Sequence, residues 1–256
     1  MVREEGGVAL IDVDSSLVKV IGGFLSFQDV AWSKNRIACA ARAIVMIYDL
    51  NGELHKVVKV ASEITALGSL EIGFIIGTEE GELIMIDENG KKIWENKVWD
   101  GRIDRIERSS SGYILVIANK YTLLVVSPEG KVITTNSYRW DMRRVAWNSD
   151  MSLLGVPEKG IFIIYKWVEG QGYVKEKMIK EEVKKAAWCN GKLGLLGHMG
   201  FRIYDEEDKN DILIRIEGVD FDWSPNCNGV SILSKDHLYV ISDLNSTATS
   251  MSLGSK

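Results

Sequence analysis

Asp29-Val-Ala-Trp32 returns as Arg144-Val-Ala-Trp147, as Lys185-Ala-Ala-Trp188 and as Asp220-Phe-Asp-Trp223. Two weaker copies, Ile64-Thr-Ala-Leu67 and Ile103-Asp-Arg-Ile106, fill the gap between the first and the second. With Trp32, Leu67, Ile106, Trp147, Trp188 and Trp223 as equivalent anchors, the steps are 35, 39, 41, 41 and 35 residues. Their mean, roughly 38, falls among repeat architectures, in which each unit is one supersecondary element that buries its apolar face against the next.

Outward from each anchor the same order recurs. A polar turn such as Ser33-Lys-Asn or Asn148-Ser-Asp leads into a nearly continuous apolar run: Arg36-Ile-Ala-Cys-Ala, Gly73-Phe-Ile-Ile-Gly, Tyr113-Ile-Leu-Val-Ile-Ala, Leu153-Leu-Gly-Val, Leu193-Gly-Leu-Leu-Gly or Gly229-Val-Ser-Ile-Leu. A β-branched or aromatic run follows, as in Ile44-Val-Met-Ile-Tyr, Thr122-Leu-Leu-Val-Val or Ile161-Phe-Ile-Ile-Tyr. Asn51-Gly52, Asn89-Gly90, Glu129-Gly130 and Glu169-Gly170 then turn the chain into an outer strand such as Lys91-Lys-Ile-Trp94-Glu. Short apolar runs separated by Gly-containing turns read as strands and hairpins. No segment of helical length carries a 3.6-residue apolar period.

Four short strands repeated about six times describe the blades of a β-propeller. Its middle strands lose the polar alternation of a half-exposed sheet because neighbouring blades cover both faces. The expected fold is all-β, a single propeller domain over residues 1–256, with six blades and a degenerate seventh as the alternative. Leu17-Val-Lys-Val20 precedes the first anchor as an outer strand should, and is assigned to the blade of Trp223, so that the N-terminal strand closes the ring on the C-terminal blade. Val8-Ala-Leu-Ile-Asp-Val13 has the look of a third strand, and the tail after Asp243 is either loose or an added edge strand.

Ile44-Val-Met-Ile-Tyr-Asp-Leu-Asn-Gly-Glu53 and Phe201-Arg-Ile-Tyr-Asp205 resemble the third-strand-and-turn signature of the WD-repeat family. Leu83-Ile-Met-Ile-Asp-Glu-Asn-Gly-Lys-Lys-Ile-Trp94 is closer to the quinoprotein-type propeller repeat. The likeness spans most of residues 28–243 and implies a propeller. The Gly-His pair of the WD-repeat loop and the Trp-Asp ending its third strand are largely missing, and with them the hydrogen-bonded tetrad those residues build.

Composition narrows the classes. Of 256 residues 46% are hydrophobic, enough for a large core, which excludes a disordered or collagen-like chain. A net charge of -5 disfavours a dedicated nucleic-acid binder, including RNA contact through Arg102, Arg105, Arg143 and Arg144. Cys39, Cys189 and Cys227 are odd in number and show no CxxC spacing, so neither a disulfide framework nor a zinc site is expected. The apolar stretch Ile37 to Tyr48 is too short to span a bilayer, and no membrane association is expected. A cytoplasmic protein follows, the N-terminus lacking the charged and apolar regions of a secretory signal. Glutamine occurs only at Gln28 and Gln171 beside plentiful Ile, Val, Glu and Lys, a thermophile's bias.

The sequence holds no G-x-S-x-G elbow, Walker loop, H-E-x-x-H or G-x-G-x-x-G, so no catalytic residue, metal or cofactor is assigned. The acidic run Asp205-Glu-Glu-Asp208 with Asp211 lacks the spacing of an EF-hand loop. What stands out is a repeated W-D-x-R: Trp99-Asp100-Gly-Arg102 and Trp140-Asp141-Met-Arg143 lie 41 residues apart, one blade step, each in the loop leading into an inner strand. Trp and Arg dominate binding hot spots, so the two loops are candidates for contact with a protein or peptide partner. The other reading makes each Trp a plug between blades and each Asp–Arg a local ion pair. A second candidate is a polarised channel mouth, with Arg105, Arg144 and Lys185 positive over blades three to five and Asp29, Asp220 and Asp222 negative over blades six and one. The resulting expectation is a non-enzymatic interaction module. The rival is a metal-dependent hydrolase or lactonase of the axial funnel, for which Asp29, Asp104, Asp220 and Asp222 would be the ligand candidates.

Overall fold

The structure, a computed structural model, describes residues 7–12, 17–22, 25–109, 112–169, 171–205, 212–224, 227–242, 244 and 249–252. Strands β1 (Val8–Asp12) and β2 (Leu17–Ile21) pair with one another. Blade one follows as β3 (Asp29–Trp32), β4 (Arg36–Ala41), β5 (Ile44–Asp49) and β6 (Leu54–Lys59). Blade two is β7 (Ile64–Leu70), β8 (Gly73–Thr78), β9 (Glu82–Asp87) and β10 (Lys92–Lys97), and blade three is β11 (Ile103–Arg108), β12 (Ile114–Ala118), β13 (Thr122–Val126) and β14 (Val132–Ser137). Blade four comprises β15 (Ala146–Trp147), β16 (Leu153–Glu158), β17 (Ile161–Val168) and β18 (Gly172–Ile179). Blade five is β19 (Val183–Cys189), β20 (Lys192–Gly197), β21 (Gly200–Asp205) and β22 (Ile212–Ile214), and blade six is β23 (Asp220–Trp223), β24 (Val230–Leu233), β25 (His237–Ile241) and β26 (Thr249–Ser252).

These are the six four-stranded antiparallel blades of an all-β propeller, each a meander in sequence order. A 3₁₀ turn at Met142–Arg144 is the only helical element among the described residues. The chain divides into two compact units, residues 2–143 with blades one to three and residues 144–256 with blades four to six.

All six anchors lie on first strands, opposite second-strand residues: Trp32 faces Ile37, Leu67 faces Ile76, Ile106 faces Val116, Trp147 faces Leu154, Trp188 faces Leu193 and Trp223 faces Val230. Directly opposed residues of an antiparallel pair share a sheet face. Leu67 therefore joins Phe74, Ile76, Ile84 and Ile86 against Ala31, Ala38, Ala40, Val45 and Ile47 of blade one. Ala66, one residue earlier, turns the other way, with Ile75, Leu83 and Met85, toward Ile106, Ile114 and Val116 of blade three. The rule is general within each unit: the anchor packs on the preceding blade, and the residue before it packs on the following one. Second and third strands such as β8 and β12 are buried throughout, whereas β6, β10 and β14 are mostly exposed. That difference explains the unbroken apolar runs of the sequence.

Fourth strands also reach forward. Lys56 and Val58 lie against the Gly90 turn of blade two, and Trp94 and Asn96 lie against the Gly130 turn of blade three, Trp94 Nε1 donating to the Pro128 carbonyl at 3.0 Å. Lys19 and Ile21 of β2 lie against the Gly52 turn of blade one in the same way, and Lys19 Nζ is 2.8 Å from Glu53 Oε1. So Leu17–Val20 is an outer strand, but not that of the Trp223 blade: β2 pairs with β1, and blade six takes Thr249–Ser252 as its fourth strand. The reason is local. An outer strand touches the next blade's turn whichever sheet it belongs to, and pairing Asp12 with Leu17 closes a short loop instead of one of over two hundred residues.

A second correction concerns the cysteines. Cys189 and Cys227 form a disulfide with Cα atoms 5.5 Å apart, joining the end of β19 in blade five to the turn after β23 in blade six. Cys39 is free and buried, and burial pushes its thiol up to about 12.

Candidate functional site

The two W-D-x-R loops fall where the repeat places them, between β10 and β11 and between the end of β14 and β15. Both sit on one turn, Asn119-Lys120, which joins β12 to β13. The Asn119 amide donates to the Arg102 carbonyl at 3.0 Å, the Lys120 amide donates to Asp104 Oδ2 at 2.7 Å, and the Met142 amide donates to the Lys120 carbonyl at 2.7 Å. Asn119 and Lys120 have φ of 47° and 69°, the left-handed pair that a tight hairpin turn requires. Within residues 2–143 the repeat thus brings both loops to the same rim of blade three.

Their side chains divide differently. Trp99 is half-buried against the apolar cluster between blades two and three, and its loop is seated on Gly81, whose carbonyl accepts from the amides of Val98 at 3.0 Å and Trp99 at 3.2 Å. Asp100 projects outward with its side chain 97% exposed and meets Lys97 at 3.0 Å. Arg102 pairs with Asp104 at 3.2 Å rather than with Asp100. In the second loop Trp140 stacks on Tyr138 at 6.0 Å, with the Arg139 guanidinium 5.4 Å over its ring. Asp141 and Arg143 form the local pair, Arg143 Nη2 to Asp141 Oδ2 at 2.6 Å and Nε to Oδ1 at 2.9 Å.

The Arg143 hydrogen bond holds the Asp141 carboxyl below the usual carboxylate range, with help from the Arg143 backbone amide, against a partial loss of water. A depressed carboxyl contributes stability above its unfolded pKa and loses it as pH falls through the folded one. Asp141→Asn is expected to destabilise the chain by about 0.5–1 kcal/mol at pH 7, discounted because both side chains are partly wet. Urea midpoints of the two proteins should converge in acid, at pH below the depressed pKa, and a gap that persists there would assign the loss to packing.

The charged residues of the inner strands stitch one blade to the next. Asp29 Oδ2 accepts from the Leu67 amide of blade two at 2.8 Å, and Oδ1 from Val30 at 2.9 Å. Burial raises the Asp29 carboxyl, opposed by those two amides. Arg105 donates to the Arg143 carbonyl at 3.2 Å and pairs with Glu107, and loss of water brings its guanidinium down to about 10, still charged at neutral pH. Arg144 donates to the Val183 carbonyl of blade five at 3.3 Å, and Lys185 Nζ meets Asp220 Oδ1 of blade six at 2.5 Å. Asp222 is exposed and accepts from the Trp223 amide at 2.9 Å. Thr65, which the sequence reading passed over, donates its hydroxyl to the Ile103 carbonyl of blade three at 2.5 Å. It sits one residue before Ala66, so its signal was its register.

Among the described residues no three His, Cys, Asp or Glu side chains converge to hold a metal ion. Asp104 is committed to Arg102 and Lys120, and Asp220 to Lys185. Glu206, Glu207, Asp208 and Asp211 of the acidic run lie outside the described residues. None of the described helices is long and apolar enough to cross a membrane.

No protein-family model matches this sequence, and no curated protein matches it. Among solved structures, a chain of a mitotic checkpoint complex superposes with a TM-score of 0.71 at 13% identity, over 94% of this chain and 85% of that one. The computationally designed Ika8 protein superposes with a TM-score of 0.66, again at 13% identity, over 96% of this chain and 81% of its own. At such identity the likeness concerns the fold, and the fold is a β-propeller.

Proposed function

We propose that this chain is a non-catalytic, WD-repeat-like interaction module, one propeller domain over residues 1–256, that presents the rim of blade three to a protein or peptide partner. The observation that carries the reading is the seating of both W-D-x-R loops on the single Asn119-Lys120 turn. The Arg102 carbonyl of one loop and the Met142 amide of the other bond to that turn, and the Asp100 side chain is 97% exposed. Rigid display of aromatic and charged side chains lowers the ordering cost of association. Asp29 and Arg105 within residues 2–143, and Arg144, Lys185, Asp220 and Asp222 within residues 144–256, contribute charge to the inner strands of their own unit on this reading. The propeller of the checkpoint complex is itself one part of a protein assembly.

The same reading places the chain in the cytoplasm of a heat-adapted cell. Disulfides are uncommon in most cytosols yet frequent inside hyperthermophiles, which reconciles the Cys189–Cys227 bridge with the scarcity of glutamine. The test places a photo-crosslinking residue at position 100 and, as control, at Lys92 on the outer strand of blade two. A discrete adduct from position 100, weakened by Trp140→Ala without loss of thermal stability, is the expected outcome. Equal adducts from both positions, or none from position 100, would remove the rim from consideration.

A further inference from the structure

Arg102 and Arg143 end the two W-D-x-R motifs, yet their carboxylate partners hold them differently. Asp141 is bidentate on Arg143, taking Nε at 2.9 Å and Nη2 at 2.6 Å. Asp104 takes only Nε of Arg102, at 3.2 Å. The terminal fork of Arg102, Nη1 and Nη2, has no hydrogen-bond partner among the described residues. Such a fork matches the two oxygens of a carboxylate.

The group behind the fork makes it a seat. The Asp104 side chain is only 5% exposed, against 52% for Arg102. Its second oxygen, Oδ2, accepts from the Lys120 amide at 2.7 Å, so the backbone of the turn between β12 and β13 fixes the carboxylate. The Arg102 carbonyl is fixed by the same turn, through the Asn119 amide at 3.0 Å. Tethered at Nε and at its own backbone, the guanidinium is set before a ligand arrives, which lowers the ordering cost of binding. All of these groups belong to blade three and its entry loop, within residues 2–143.

The surrounding charge narrows the ligand. On the blade-three side, Lys120 adds to the Arg143 hydrogen bond in lowering the Asp141 carboxyl, and Arg139 lies over Trp140. On the blade-two side, the other end of the loop is seated on Gly81, beside the exposed Glu79 and Glu80. Asp100, and behind it Glu80 and Glu82, raise the Lys97 ammonium. Four residues, Trp99 to Arg102, join the two sides and span at most about 14 Å. A phosphoryl dianion or a phosphate chain at the fork brings two or more negative charges near that acidic turn, whereas a carboxylate brings one.

We propose that the Arg102 fork, held by Asp104 and the Asn119-Lys120 turn, is a carboxylate-binding site that takes an Asp or Glu side chain of a protein partner. The inference rests on the rim reading and names the chemistry of the group that lands there.

The probe is the peptide acetyl-Gly-Gly-Glu-Glu-Gly-Gly-amide, whose glutamates carry its only charges. Titrated into the full chain, it is expected to bind saturably at millimolar concentration and to shift the Nε resonance of Arg102. Arg102→Gln, at an exposed position, is expected to weaken binding at least tenfold with the melting temperature unchanged. Arg102→Lys is expected to weaken it comparably, because an ammonium keeps the charge and loses the fork. Asp104→Asn removes a negative charge, which strengthens any unspecific attraction for the peptide, but it releases Arg102, and a loss of at least threefold is expected. Tighter binding by Asp104→Asn, full affinity in Arg102→Lys, or no saturable binding at millimolar peptide overturns the proposal. Tighter binding of the phosphoserine analogue or of oligouridylate overturns it as well, by making the ligand a phosphate. The rim reading is tested apart from this one: an adduct from position 100 that Arg102→Gln leaves unchanged keeps the rim and removes the carboxylate site. Peptide binding that meets these expectations, with no adduct from position 100, does the reverse.

Discussion

Reduction of the Cys189–Cys227 disulfide is expected to lower the stability of the chain by about 4 kcal/mol, from the chain entropy released when a loop closed by residues 38 apart is opened. The urea midpoint should fall on addition of dithiothreitol, and Cys189→Ala with Cys227→Ala should show the lower midpoint with no response to the reductant. The bridge secures the inner end of blade five to the turn of blade six, where Cys227 is buried and its amide donates to the Ser224 carbonyl at 2.9 Å. An unchanged midpoint under reduction would show that the two thiols do not pair.

Gly81→Ala is expected to cost about 3 kcal/mol or more. Gly81 has a φ of +82°, and a Cβ there would stand 2.1 Å from the Trp99 carbonyl oxygen and 2.7 Å from that of Gly101. Backbone strain accounts for about 1 kcal/mol of this, and displacing two carbonyls accounts for the rest. Gly160→Ala is the control: its φ is +74°, yet nothing lies within 4 Å of the added methyl, so only the strain remains. Equal losses at the two positions, measured by chemical denaturation, would mean that Gly81 does not seat the Trp99 loop.

These two sites show where sequence reading succeeds and where it stops. The anchors Leu67, Ile106, Trp188 and Trp223 were legible because each packs on the blade before it, while Ala66 and Ala187, the residues preceding Leu67 and Trp188, pack on the blade after, a constraint written into adjacent positions; Trp32 and Trp147 share their register. The location of both W-D-x-R loops was legible for the same reason. Their exposure was not: Trp99 is half-buried against an apolar cluster drawn from blades two and three while its backbone is seated on Gly81, and no pattern within the loop reports either contact. The disulfide had a signal that went unused. Cys189 and Cys227 are 38 residues apart, one blade step, which sets two residues side by side on neighbouring blades. The assignment of Leu17–Val20 failed because outer strands are mostly exposed, and little in their composition says which sheet they complete. Thr249–Ser252, which takes that place in blade six, has almost no apolar content for the eye to find.

The hydrogen bonds that stitch blade to blade have a consequence for synthesis. Asp29 to Leu67, Thr65 to Ile103, Arg105 to Arg143, Arg144 to Val183 and Lys185 to Asp220 each span between 35 and 39 residues. As the nascent polypeptide leaves the ribosome, every newly emerged sheet finds its stitching partner already outside, one repeat behind it. Order can therefore be laid down vectorially, and the earliest sheets need not wait for the last codon.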